Sequence, residues 1–280
     1  MRCRSSSSSA RCGSSAFVAM ASGHARLRRA LAYSCLLTYA LVAHGEGPMP
    51  FSKVTGDLPK IIANQEPLYE GNLTFYFRIL FFKSSNIHNP YHNFLHMLHV
   101  LWLCHEASRY YQSRLTPRQM RNLLIAALFH DFDHPGHPHP SEGDPDRINI
   151  PIAIAGLRRY VMPADRAFLP RIEALIEATH YPYKIGSDKL DLLGQIIRDA
   201  GLAQALNPAW IQQVVFGLAQ EWEVSPLEVL KGQGSFLAGL SFSTCWAQQL
   251  FPRQLIQAKI EEVEQLLRLL QTEPSSAAGD

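Results

Sequence analysis

The stretch that most constrains this chain runs from Leu123 to His137. Seven apolar residues, Leu123-Leu124-Ile125-Ala126-Ala127-Leu128-Phe129, lead directly into His130-Asp131-Phe132-Asp133-His134-Pro135-Gly136-His137. An apolar run of this kind belongs in a core, so it carries several metal-binding side chains to one buried point. A carboxylate there is costly unless it is paired or bound to a cation. Any fold the chain adopts must set positive charge against His130 and Asp131.

The surrounding pattern is helical. Thr116-Pro117 reads as an N-cap followed by Pro at the first helical position, opening a helix that ends at the His-Asp stretch. A helix is expected from about Tyr91 to Tyr111, after the turn His88-Asn89-Pro90-Tyr91. The aromatic run Leu73 to Lys83 fits strand or buried helix by periodicity, and its helical surroundings favour helix. Further helices are expected from Asn149 to about Val161, Asp165 to Thr179, Asp188 to Leu206, Ala209 to Glu223, Leu227 to Lys231, Phe236 to Leu250 and Gln254 to Gln271. Residues 49–73, with Pro50, Gly56, Pro59, Pro67 and Gly71, read as an irregular approach segment. No stretch alternates as a strand does. The expectation is one all-α domain over 49–272, with a Ser/Ala/Gly-rich tail at 273–280.

Charge separates this domain from a leader at 1–48. Arg2, Arg4, Arg11, Arg26, Arg28 and Arg29 lie in the leader, and the first acid is Glu46. The formal charge of the whole chain is +2. The basic excess therefore belongs to the leader, and the domain offers no electrostatic case for nucleic-acid binding. The leader fits a secretory signal, an organelle transit peptide or a start-site extension ahead of Met49. The domain alone reads as cytoplasmic, and as secreted or organellar if the leader is a targeting segment. Nothing beyond the leader approaches the ~20 apolar residues that span a bilayer. Beyond the leader only Cys104 and Cys245 remain, with no zinc-type Cys spacing.

Histidines are concentrated where the chemistry is expected. His88, His92, His96, His99, His105, His130, His134, His137 and His139 are nine of the twelve. A lone histidine on an amphipathic helix is usually a packed side chain. His92 and His96, four apart, are expected to share a helix face. Zinc takes about four N, O or S ligands, and His96, His130 and Asp131 supply three. The best fourth candidate is Asp199, on the buried stripe of its helix. A core salt bridge or a helix-end turn is the alternative role for that carboxylate.

Two longer strings carry a resemblance. Asn89-Pro90-Tyr91-His92-Asn93-x-x-His96 and His130-Asp131-Phe132-Asp133-His134-Pro135-Gly136 resemble the signatures of the cyclic-nucleotide phosphodiesterase catalytic domain, within the HD superfamily of metal-dependent phosphohydrolases. Gln233-Gly234-Ser235-Phe236 resembles that family's Gln-x-x-Phe. The resemblance spans roughly 70–252. It implies a tight metal, usually zinc, on His96, His130, Asp131 and Asp199. It implies a second ion, magnesium or manganese, sharing Asp131. His92 would be the general acid, His134 would bond a metal-bound water, and Gln233 and Phe236 would line a purine pocket. The implied substrate is a 3′,5′-cyclic nucleotide.

The chain also departs from that family. His137-Pro138-His139-Pro140 stands where an Asn is usual, and Ala178-Thr179-His180 replaces Ala-Thr-Asp. No match for the glutamate that supports the acid is found in 146–156, and Asp144 and Asp146 are the nearest substitutes. Two further functions share the same ligands. One is an HD phosphohydrolase acting on nucleotide monoesters or other phosphodiesters, and the other is a non-catalytic HD module that binds metal or ligand.

Overall fold

The computed structural model describes residues 54–136, 144 and 146–271. The leader, the tail from 272, His137 and His139 lie outside the described residues. The described chain is all-α, with no strand. The helices are α1 (Val54–Ala63), α2 (Thr74–Lys83), α3 (Phe94–Tyr110), α4 (Pro117–Phe129), α5 (Asp146–Tyr160), α6 (Leu169–Glu177), α7 (Leu192–Leu202), α8 (Gly217–Glu221), α9 (Pro226–Gly239), α10 (Cys245–Leu250) and α11 (Arg253–Gln271).

Helices α3 and α4 pack along each other at the centre, and α7 lies against both. Helix α4 is held at its start by a capping box. The Thr116 side chain accepts from the Gln119 backbone, and Gln119 reaches back to the Thr116 N–H. Every residue from Met120 to Phe129 is buried. The apolar run thus forms the core, and burying each large side chain contributes about 1.5–3 kcal/mol.

The same helix binds a buried ion-pair knot. Arg121 donates through Nε and Nη2 to Asp165, both at 2.7 Å, and Arg118 Nη1 donates to the same carboxylate at 2.6 Å. Tyr76 Oη of α2 adds a bond to Asp165 at 2.8 Å. Arg121 Nη1 also donates to the carbonyls of Glu70 and Asn72. One carboxylate therefore ties α2, α4 and the 3₁₀ turn Pro163–Phe168 together.

Several sequence expectations need correction. Segment 49–73 contains α1, with Pro59 inside it. Helix α3 begins at Phe94, because the Asn93 side chain accepts from the Leu95 and His96 N–H groups and caps it. The expected helix 209–223 is a π-helical turn, Ile211–Phe216, running into α8. The expected breaks near 231 and 236 are one continuous helix, α9, and the real break falls at 240–244. Of the two cysteines beyond the leader, Cys104 is buried and Cys245 is exposed at the start of α10.

Candidate metal centre

The end of α4 aims the first ligands. His130 closes the helix, and its Nδ1 donates to the Ala127 carbonyl at 2.9 Å. A carbonyl only accepts, so Nδ1 carries the hydrogen and Nε2 presents a lone pair. His96, on α3, is fixed in the same tautomer. Its Nδ1 meets Gln204 Oε1, and Gln204 Nε2 donates to Gln213 Oε1 at 3.2 Å. Both assignments follow from the bonding partners.

The two lone pairs face each other. His96 Nε2 and His130 Nε2 are 3.2 Å apart, and each lies 3.2 Å from Asp131 Oδ2. The three atoms form an equilateral triangle in a site where all three residues are buried. A tetrahedral ion with bonds of ~2.0–2.1 Å has ligand edges of about 3.3 Å. Without a cation, the Asp131 charge is offset only by a proton taken up on the imidazoles. The residues present therefore fit a divalent ion.

Charge within the triad follows from the same contacts. Burial lowers the His96 pKa, and the Asp131 carboxylate only partly offsets this. Burial also lowers His130, but there the Asp131 charge and hydrogen bond outweigh it and the pKa is raised. Burial alone would raise Asp131, yet His130 and His96 hold it well below the usual carboxylate range. The other Asp131 oxygen accepts from Asn149 Nδ2 of α5 at 3.0 Å.

Asp199 does not join the triad. It is buried as expected, but its oxygens are taken up by the turn that opens α10. Its Oδ1 accepts from Ser243 N at 2.9 Å, and its Oδ2 from Thr244 N at 2.9 Å and Thr244 Oγ1 at 2.8 Å. The helix-end alternative is the one the structure adopts. Burial raises the Asp199 pKa, and these donors only partly offset it.

His92 is not on the helix with His96. It precedes the Asn93 cap, yet the turn brings its ring to 5.9 Å from that of His96. Asn86 holds the two strings together, donating through Nδ2 to the His92 carbonyl at 2.7 Å and to the Asp131 carbonyl at 2.8 Å. His134 is buried and stacks on His92 with ring centroids 3.9 Å apart. Asp133, at a φ of 58°, accepts from Ser85 N at 2.7 Å and serves the loop. His99 is buried beside Trp102 and takes no part in the triad.

The partner of His92 is Glu221, from α8. Glu221 Oε1 bonds His92 Nδ1, and Glu221 Oε2 accepts from the Tyr91 and His92 backbone N–H groups at 3.0 Å. Helix α8 comes this close because Gly217 packs against the Pro90 carbonyl, where a Cβ would sit only 3.0 Å from the oxygen. Burial lowers the His92 pKa, but the hydrogen bond and charge of Glu221 more than offset it, so the pKa is raised. Burial would raise Glu221, but the His92 bond brings it down to about 2. Neither substitute near 146–156 plays this role. Asp144 pairs with His180 and Lys184, and Asp146 accepts from Tyr181 N.

Gln233 and Phe236 share a face of α9. Gln233 is buried, and its Oε1 lacks a hydrogen-bond partner. Phe236 is half-buried with its ring 6.5 Å from that of Tyr181. Glu221, Gln204, Asn149 and Asn86 were missed by sequence reasoning. A signal existed only for Glu221, an acid between apolar Leu218-Ala219 and Trp222. No family model matches the chain, and no curated protein matches it. No helix among the described residues is long and apolar enough to cross a membrane.

Proposed function

We propose that this chain is a metal-dependent phosphohydrolase whose best substrate is a 3′,5′-cyclic nucleotide, opened to the 5′-monophosphate. The observation that carries the reading is the 3.2 Å triangle of two imidazole lone pairs and a carboxylate oxygen. When bound, a divalent ion there would polarise a phosphoryl oxygen and lower the pKa of water toward 7. His96, His130 and Asp131 would hold it, with zinc as the expected ion. A second ion, magnesium or manganese, would share Asp131, whose other oxygen accepts from Asn149 Nδ2. Asp146 is the nearby carboxylate, its pKa raised by burial and by the Asp131 charge.

The remaining chemistry belongs to the chain's own residues. His92 is the acid. Glu221 anchors its Nδ1–H and keeps the ring protonated to a higher pH, so Nε2 can give a proton to the departing ribose oxygen. His134 covers one face of that ring and fixes its plane. Gln233 offers an unpaired buried acceptor to a base edge, and Phe236 offers a face for stacking.

The test is hydrolysis of cyclic AMP, cyclic GMP, nucleotide monophosphates and an aryl phosphodiester with manganese present. Turnover of a cyclic nucleotide supports the reading. Fast monoester cleavage with neither cyclic nucleotide touched would replace it with the broader HD phosphohydrolase. The intact His92–Glu221 pair weighs against a non-catalytic module, which has no use for a held acid.

A further inference from the structure

We infer that the outer face of α2 docks on an anionic lipid surface. Phe75, Phe81 and Phe82 enter the boundary between headgroups and acyl chains, and Arg78 and Lys83 meet the lipid phosphates. Docking of this kind stands apart from the phosphohydrolase reading and would hold for a chain without that activity.

Helix α2, Thr-Phe-Tyr-Phe-Arg-Ile-Leu-Phe-Phe-Lys, is apolar nearly all the way round. A helix of that kind is normally buried on every side. Here only one side is covered. Tyr76 and Leu80, with Leu73 just before the helix, are fully buried at three-and-four spacing. The opposite line, Phe75, Arg78 and Phe82, is exposed, and Phe81 lies on its flank. Exposure is 41% at Phe75, 51% at Phe81 and 68% at Phe82. The Phe81 ring meets Phe82 edge-on at 5.1 Å and Phe94 at 5.6 Å between ring centres. Leu95, next to Phe94, is exposed as well. Phe81, Phe82, Phe94 and Leu95 therefore form one patch, which scattered surface apolar residues do not.

The charge on this face has one sign. From Gly71 to His105 the chain has no acid, and its permanent charges are Arg78 and Lys83, both exposed. Glu70, just before this stretch, binds Arg118, and Asp133 accepts from the Ser85 N–H and hydroxyl. Charge then selects the occupant. A second copy laid on the same face would set Arg78 and Lys83 against their own kind, with no acid to pair them. The leader offers six arginines and no acid before Glu46, so the same two residues repel it. A broad negative surface that takes up aromatic rings is complementary on both counts. Peripheral helices bind bilayers in this way, with Phe in the boundary and Lys and Arg at the headgroups. Such binding needs no spanning helix, and none is present among the described residues. Asn86, four residues after Phe82, donates to the carbonyls of His92 and Asp131. Lipid docking would thus hold the candidate metal centre next to the bilayer.

The experiment uses the full chain and sedimentation with sucrose-loaded vesicles of phosphatidylcholine, with or without phosphatidylserine. Phe81→Ser with Phe82→Ser removes the rings, and Arg78→Glu with Lys83→Glu reverses the charge. Leu269→Ser with Leu270→Ser, at two leucines of α11 exposed to a similar degree, is the control. Circular dichroism and thermal melting accompany each variant. Wild type should bind the vesicles that contain phosphatidylserine more tightly than the neutral ones. Each α2 pair should lose at least roughly tenfold in affinity for the anionic vesicles, and the α11 pair should stay within about twofold of wild type. The effect of charge reversal should shrink as salt rises. p-Benzoylphenylalanine placed at position 82 reports the occupant on an otherwise native chain, and photocrosslinking to lipid is the expected result. No vesicle binding by wild type, or binding that either α2 pair leaves unchanged, would overturn the inference. So would a crosslink to a second copy or to the leader in place of lipid, a result that decides even where a double variant does not fold.

Discussion

Asp165 and Asp131 are both buried aspartates next to the same helix, and they are compensated in opposite ways. Asp165 is fully enclosed and meets two guanidinium groups and a tyrosine hydroxyl, all supplied by the chain. Asp131 meets one amide and two imidazole nitrogens, which carry a positive charge only when protonated. The first region is electrically complete and acts as scaffold. The second has no permanent positive charge of the chain beside it and, on the proposed reading, would be completed by a cation from outside. Burial alone does not mark a functional acid. What distinguishes one is the lack of a permanent countercharge of the protein's own.

The largest effect should come from removing the incomplete acid. Asp131→Ala should abolish both metal binding and turnover, as read by elemental content and substrate assay. A variant that kept its metal would break the contrast with Asp165. Next is His92→Ala, which should retain the metal and slow cleavage by about 10²–10⁴-fold. Glu221→Gln sharpens this assignment through pH. A rate that needs protonated His92 falls as pH rises through its pKa. Because Glu221 raises that pKa, its loss should move the alkaline limb of kcat to lower pH. A limb that stays in place would show that His92 is not the acid.

The complete acid should matter to stability and not to chemistry. Asp165→Ala removes the countercharge of buried Arg121, while half-buried Arg118 keeps Glu70, and should cost about 3–5 kcal/mol in urea unfolding, with kcat of the surviving folded fraction little changed. Burial would raise the Asp165 pKa, but Arg121 and the other donors lower it overall. Its contribution is therefore full above the unfolded value of about 3.9 and fades as pH falls below it. The stability gap between wild type and this variant should narrow in acid. The smallest effect belongs to a contact beneath the second signature string. A Cβ at Gly156 would sit 2.4 Å from Phe132 Cδ1, so Gly156→Ala should destabilise by about 1–3 kcal/mol through overpacking. An unchanged melt would show that Phe132 shifts freely.

The parts legible in sequence were those written locally. The Thr116-Pro117 start of α4, its buried apolar run and the adjacency of His130 and Asp131 are short-range facts, and periodicity carries them. His96 was also within reach, because it lies well inside the expected helix even though the start of that helix was set three residues too early. Asp199 shows where that reasoning stops. Its stripe correctly gave burial, but a stripe does not say which neighbour will face it, and the Ser243–Thr244 turn took it. Glu221 carried a hint, an acid in an apolar run, but nothing local named its partner. It stands 129 residues from His92, and packing of α8 on the Pro90 turn, not any motif, brings the two together. Gln233 and Phe236 were placed at a helix junction, yet α9 runs through them, since Gly232 and Gly234 are tolerated inside a helix at modest cost.

The order of the parts along the chain has a consequence for synthesis. His96, His130 and Asp131 all precede residue 132, whereas Gln204 and Glu221 come from the later half. A chain leaving the ribosome from its N-terminus displays the triad residues well before the groups that orient His96 and His92 exist. An incomplete chain thus carries ion-binding side chains but no aimed acid. The carboxylate that holds His92 arrives only with α8, so on the proposed reading a truncated product ending before α8 would lack an aimed acid even where its ligands are intact.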